Sequence, residues 1–199
     1  RNGNAEGTAC AVIKESDIVD ESIRCQHFGR CGGCVYQPVR YEEQLKLKSA
    51  QIEKLLAPVG GDYIYEGIKG SPEGAEYRNK MEFSFGDEVK DGPLSLGMHK
   101  RGSFHDIVTV SGCRIMDGDF RSILSATLDY FKNSGVTFYK KLAHTGYLRH
   151  LLVRKAVKTG DILIDLITTT QMEYSLDALA DELKALDLKG HITGFLHTY

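Results

Sequence analysis

Residues 79–86 read Asn-Lys-Met-Glu-Phe-Ser-Phe-Gly. Met81, Phe83 and Phe85 alternate with Lys80, Glu82 and Ser84, the period of two of a strand with one buried face. Asp91-Gly92 follows as a tight-turn dipeptide. Leu94, Leu96 and Met98 then resume the alternation. Lys100-Arg101-Gly102-Ser103 forms a second turn, and Asp106 to Val110 a third strand. The stretch reads as an antiparallel meander that delivers the chain to Cys113.

Outward from the meander the period changes. Asp117 to Asn133 reads as a helix that buries Phe120, Ile123, Leu124, Leu128 and Phe131, with Gly135 just beyond its end. Leu148 to Val157 and Asp161 to Thr168 read as a hairpin turning at Thr159-Gly160. Ile162 to Ile167 is apolar on both faces except at Asp165, as in a central strand. Ser175 is placed to cap a helix from Leu176 to Leu186, and His191 to His197 reads as a last strand. On the N-terminal side, Thr8 to Ile18 reads as a strand and Asp62 to Ile68 as a short one. Pro38 to Leu56 reads as a helix with a stripe of Leu45, Ile52, Leu55 and Leu56, stopped by Pro58 and Gly60-Gly61. The whole is α+β, with a mainly antiparallel sheet and about three helices.

The chain has 199 residues, 42% hydrophobic and 26% charged, an ordinary globular mix. Its net charge of −2 gives no whole-molecule attraction for nucleic acid, so any RNA surface must arise from local clustering. No apolar run approaches the roughly 20 residues that span a bilayer, and the N-terminus lacks a signal peptide's apolar core and a starting Met. These features imply no membrane partner and a cytoplasmic portion of a longer chain. Five cysteines without a secretory signal make a disulfide framework the weaker reading.

The sharpest signal is Cys25-x5-Cys31-Gly32-Gly33-Cys34, followed at a distance by Cys113. Three thiolates within ten residues can wrap one metal centre, and two glycines let the backbone turn between Cys31 and Cys34. Cys113, at a strand end, is placed to supply a fourth ligand. Four thiolates suit iron–sulfur and zinc alike, and spacing leaves both open. Cys10, inside a strand pattern, reads as a core residue. His27 is a further possible ligand, but reads rather as a loop residue.

The run Cys25-Gln26-His27-Phe28-Gly29-Arg30-Cys31-Gly32-Gly33-Cys34, with Gln37, Tyr41, Gln44, Leu45 and Lys48, closely resembles the RNA uracil-5-methyltransferases. So do Tyr77 to Phe85, Leu96 to Ser103, Gly112-Cys113, and Leu148-Arg149-His150 through Arg154. The resemblance implies that Cys25, Cys31, Cys34 and Cys113 hold a [4Fe–4S] cluster rather than zinc. It implies that residues 1–18 are the last strand of an N-terminal OB-like (TRAM) domain and 19–199 the iron–sulfur-binding central domain. Residues 37–68 would pack on a C-terminal methyltransferase domain, the missing intramolecular partner. S-adenosylmethionine is the parent's methyl donor, its site absent here. In this family a cysteine attacks C6 of the uracil and C5 takes the methyl group. None of the five cysteines here is assigned that role, and the chain alone is expected to be inactive.

The expected RNA contacts are Arg78, Lys80, Lys100, Arg101 and Arg149, with ribosomal RNA ahead of transfer RNA as partner. Taken alone, a Lys-Arg turn is an ordinary solvated loop. Arg154 is as well placed to pair with an acid, and Tyr77 and Phe28 either stack on a base or pack in the core. Two competing readings are a stand-alone iron–sulfur electron carrier or redox sensor, and a zinc-binding RNA module.

Overall fold

The computed structural model describes residue 7 and residues 10–199. The chain divides into two compact units that interleave in sequence. One takes in the described residues up to Arg24 together with Tyr36–Gly70, the other Cys25–Val35 and Ser71–Tyr199.

The larger unit is built on one six-stranded sheet. β1 (Lys80–Asp87), β2 (Leu94–His99) and β3 (Ile107–Thr109) are the expected meander, and β4 (Leu148–Lys155) and β5 (Asp161–Thr168) the expected hairpin. β6 (His191–Thr198) lies beside β5, giving the order β3-β2-β1-β4-β5-β6. All pairings are antiparallel except β5 with β6, which is parallel. A parallel return needs a crossover, and α3 (Asp177–Lys184) lies within it. The position of β5 between two partners accounts for its nearly unbroken apolar run.

α2 (Gly118–Lys132) and α3 cover one sheet face. Met81, Phe83 and Phe85 of β1, Leu151 and Val153 of β4, and Ile162, Ile164 and Leu166 of β5 meet Phe120, Ile123 and Leu124 of α2 and Leu179 and Leu183 of α3. Phe131 meets Phe85 edge-on, centroids 5.8 Å apart. The other face carries Lys80, Glu82 and Arg154, all exposed, with Lys80 directly opposite Arg154. At the start of α2 the Asp117 carboxylate accepts from the Asp119 N–H (2.9 Å). Ser175 accepts from the Asp177 N–H (3.3 Å), but α3 begins at Asp177, so the N-cap position falls on Leu176 and not on Ser175 as expected.

Asp119 is the buried anchor of this unit. Its carboxylate accepts from Lys155 Nζ (2.7 Å) and from the backbone N–H groups of Lys189 (2.8 Å) and Gly190 (2.9 Å). It therefore ties the first turn of α2 to β4 and to the turn before β6. Lys155 also donates to Asp117. The acid partner expected for Arg154 thus falls on its neighbour.

In the smaller unit, α1 runs Tyr41–Leu56, starting three residues later than expected. Residues 38–40 are held extended instead: Asp20 N–H donates to Pro38 O, Arg40 N–H to Ile18 O, and Val19 bridges Val39. After Leu56 a short 3-10 turn leads to Gly60, in the left-handed region (φ 65°). No residue of α1 is buried, and Ile52 (44% exposed) and Leu55 (72%) keep much of the apolar stripe open. Part of the expected strand from Thr8 to Ile18 lies outside the described residues. Over 10–18 there is no strand, and Cys10 is exposed rather than in a core. Asp62 to Ile68 is not a strand either. Among the described residues neither run joins a strand of the sheet, and an alternating pattern alone does not stabilise one.

Candidate functional site

The cysteine loop, residues 25–34, is shaped by backbone bonds to its own unit. Phe28 N–H donates to Cys25 O and Cys31 N–H to His27 O, both at 2.9 Å. Gly29 takes φ 87°, so it, rather than Gly32 or Gly33, supplies the left-handed turn. Gly32 has another role. Its N–H donates to His99 O at the end of β2 (2.9 Å), and a Cβ there would lie 3.1 Å from that oxygen. A side chain there requires the loop and the strand end to part by a few tenths of an ångström.

Three further hydrogen bonds and a ring contact hold the loop against residues 99–112. Arg101 N–H donates to Arg30 O (2.7 Å), and Arg101 Nη2 to Cys34 O (2.6 Å). The Arg101 guanidinium also lies 5.8 Å from the Phe28 ring centroid. His27 Nε2 accepts from the Gly112 N–H (3.2 Å), next to Cys113. His27 is thus a fastener of the loop, and Phe28 packs under Arg101.

The loop brings Cys25, Cys31 and Cys34 into the neighbourhood of Cys113. Burial, then the negative charge that Cys113, Cys31 and Cys25 would carry, pushes the Cys34 thiol up, with Arg78 opposing. Burial raises the Cys113 thiol as well, against backbone N–H groups of Ile115 and Met116 that favour its thiolate. Gly33 N–H lies 3.4 Å from Cys31 Sγ. Among the described residues, no three His, Cys, Asp or Glu side chains gather in a way that could hold a single metal ion.

The five basic residues separate into three places. Arg78 and Arg101 lie at the cysteine loop, and Arg101 is engaged in holding it. Lys100 pairs with Asp106 (3.6 Å), and its backbone bridges Cys31. Lys80 is on the open sheet face, opposite Arg154. Arg149 stands at the start of β4, its guanidinium 5.1 Å from the Tyr139 ring centroid. Tyr77 is half exposed. Sequence reasoning missed that Arg101 faces inward to a carbonyl. It also missed a concavity beside Arg149, built from residues 138–143, which carry neither helical nor strand period.

Proteins similar to this chain can be set against that geometry. No family model matches it. It is 41% identical over its whole length to a Clostridium tetani protein named uncharacterized RNA methyltransferase, covering 43% of that protein. It is 44% identical, again over its whole length, to a Caldanaerobacter subterraneus protein of the same name, covering 44% of it. A Clostridium acetobutylicum protein of that name is 48% identical over 87% of the chain. The chain is a homologue of proteins named RNA methyltransferases. It spans less than half the length of these relatives.

Among solved structures, it matches the Pyrococcus abyssi tRNA (uracil-54, C5)-methyltransferase in complex with S-adenosyl-L-homocysteine. The TM-score is 0.64 and the identity 17%, covering 85% of this chain and 36% of that one. At that identity the match speaks for the fold, and the α+β architecture expected from the sequence is the one they share. No helix among the described residues is long and apolar enough to cross a membrane.

Proposed function

We propose that this chain is the iron–sulfur- and RNA-binding part of an S-adenosylmethionine-dependent RNA (uracil-C5) methyltransferase acting in the cytoplasm, with ribosomal RNA as substrate. The observation that carries the reading is the fastening of the Cys25–Cys34 loop beside Cys113, in a chain wholly alignable with proteins named RNA methyltransferases. Cys25, Cys31, Cys34 and Cys113 would hold the cluster. Around one zinc ion, Zn–S bonds of about 2.3 Å bring neighbouring sulfurs to about 3.8 Å. In a four-iron cluster each thiolate takes a separate iron, so the sulfurs stand farther apart.

Held by these four cysteines, a cluster would cross-link the loop to the end of the meander, and methyl transfer to uracil would need no electron from it. The chain's own residues shape the surface: Arg101 fixes the Cys34 carbonyl, His27 fixes Gly112, and Arg78 stands beside the thiols. Residues 37–68 form the segment that docks on the catalytic part, a reading supported by the exposure of Ile52 and Leu55. Residues 1–18 belong to a preceding RNA-binding domain.

Two measurements test this. Protein purified without oxygen should carry about four irons with sulfide and absorb in the visible, and zinc in their place would overturn the cluster. Deleting the gene should remove a 5-methyluridine from ribosomal RNA. Loss from transfer RNA instead would overturn the ribosomal assignment, and no loss in either would overturn the activity.

A further inference from the structure

A concave pocket of about 400 Å³ opens in the larger unit, where the open face of β1 and β4 meets the β2–β3 turn and residues 138–143. We propose that it takes one unstacked nucleotide of single-stranded RNA, its base on Phe104 and Leu142 and its phosphate on Arg149 and Lys141. This rests on the RNA-binding reading above and adds a position to it.

Size, apolar surface and charge each point to that occupant. The volume falls at the low end of small-ligand sites, roughly 300–1,000 Å³, too small for a duplex or a helix. Phe104 is 87% exposed and Leu142 86%. Large apolar side chains in water at the rim of a basic pocket are what stacking on a base requires. The carboxylates at the pocket are engaged already: Asp106 with Lys100 (3.6 Å), Asp91 with Lys140 (3.1 Å), and Asp87 with the Asp91 N–H (2.9 Å). Lys90, Lys141 and Arg149 form no ion pair among the described residues, so their charge is available to phosphate. Arg149 is held at the rim by Tyr139 rather than by an acid.

The floor supplies polar edges. His150 Nδ1 lies 3.3 Å from Ser84 Oγ. Burial holds the imidazole below its ordinary pKa, which favours the neutral ring, and Nδ1 is engaged with Ser84. A neutral polar floor under apolar and cationic rims suits a base better than a bare anion.

The test uses a fluorescent single-stranded uridine dodecamer, an RNA duplex of equal length, and the variants Phe104→Ala and Arg149→Ala, each checked for an unchanged Tm. The unmodified protein should prefer the single strand. Phe104→Ala should weaken binding about tenfold with the salt dependence unchanged. Arg149→Ala should flatten the slope of log affinity against log salt by about 0.7. A 5-iodouridine oligomer should photocrosslink within residues 99–107 or 138–150. Equal affinity of Phe104→Ala, with crosslinks elsewhere, would overturn the pocket and leave RNA binding standing. Equal binding of the duplex would overturn the single-nucleotide reading. A lower Tm for Phe104→Ala at unchanged affinity would mean that protein covers this residue, and would also overturn the proposal. No RNA bound by the unmodified protein would overturn both readings.

Discussion

Asp119→Ala should be among the most destabilising single changes in the larger unit. Only 4% of its side chain is exposed, and it takes three donors: Lys155 Nζ and the N–H groups of Lys189 and Gly190. Breaking a buried pair by removing one partner costs about 3–5 kcal/mol. Each backbone N–H left buried without an acceptor adds about 1–3 kcal/mol. Lys155 keeps Asp117 and is 14% exposed, which relieves the first cost and puts the sum near about 4 kcal/mol. A domain of this size loses about 2–4 °C per kcal/mol, so Tm should fall by about 8–16 °C. Asp117→Ala removes the cap of α2 and one of the two acid partners of Lys155, and should cost about 1 kcal/mol, or about 2–4 °C.

The pH dependence has a definite sign. Burial would raise the Asp119 pKa, but Lys155 and the two N–H groups outweigh it and hold it below the ordinary carboxylate value. Its contribution is therefore present above that value and lost as pH falls through the lowered one. Lys155 runs the other way. Burial would lower its pKa, yet Asp119 and Asp117 raise it, so its contribution is full below the ordinary lysine value and lost as pH rises through the raised one. Calorimetry from pH 2 to 7 should show the unmodified protein and Asp119→Ala converging in Tm at the acid end. A fall under about 4 °C at pH 7, or a difference that persists at pH 2, would refute the anchor.

Cys113→Ser should lose bound iron and melt several degrees lower, and full iron content would remove Cys113 from the ligand set. Arg101→Ala frees the Cys34 carbonyl, costing about 1 kcal/mol, and should speed iron loss to a chelator; an unchanged rate would make Arg101 an ordinary surface cation. Gly32→Ala, with its Cβ against His99 O, should do the same without altering charge, and normal iron retention there would show that the loop can shift at no cost. The 199-residue chain mixed with labelled S-adenosylmethionine and unmodified RNA should transfer no methyl group, and label at uracil C5 would contradict that.

Sequence patterning located most of the larger unit because its sheet has one covered face and its helices one buried stripe. Met81, Phe83 and Phe85 alternate for that reason, as do Ile123, Leu124 and Leu128 at helical spacing. It failed in the smaller unit. Among the described residues, Ala11 and Ile13 continue an alternation that has no partner strand, and residues 38–40 pair with residues 18–20 before the helix can begin. The nearness of Cys25, Cys31 and Cys34 to Cys113 was legible from their spacing, while the turn falls on Gly29 rather than on the Gly32-Gly33 pair. Arg101 was legible as a cation, but its direction was not, since nothing local marks a guanidinium that turns back to a carbonyl 67 residues away. The pocket was illegible because its wall at 138–143 comes from residues with no repeating period.

The interleaving of the two units has a consequence for synthesis. The loop that ends at Cys34 fastens to His99, Arg101 and Gly112, all in the following part of the chain. Cys113 is 79 residues beyond Cys34 (113 − 34). At roughly 5–20 residues per second, a ribosome needs about 4–16 s to bridge that gap. During this interval the nascent polypeptide presents three closely spaced thiols with no strand to seat them. On the proposed cluster reading, a stray metal or oxidant would then meet a loop without its scaffold, and the outcome of cluster insertion would depend on the speed of translation through β1–β3.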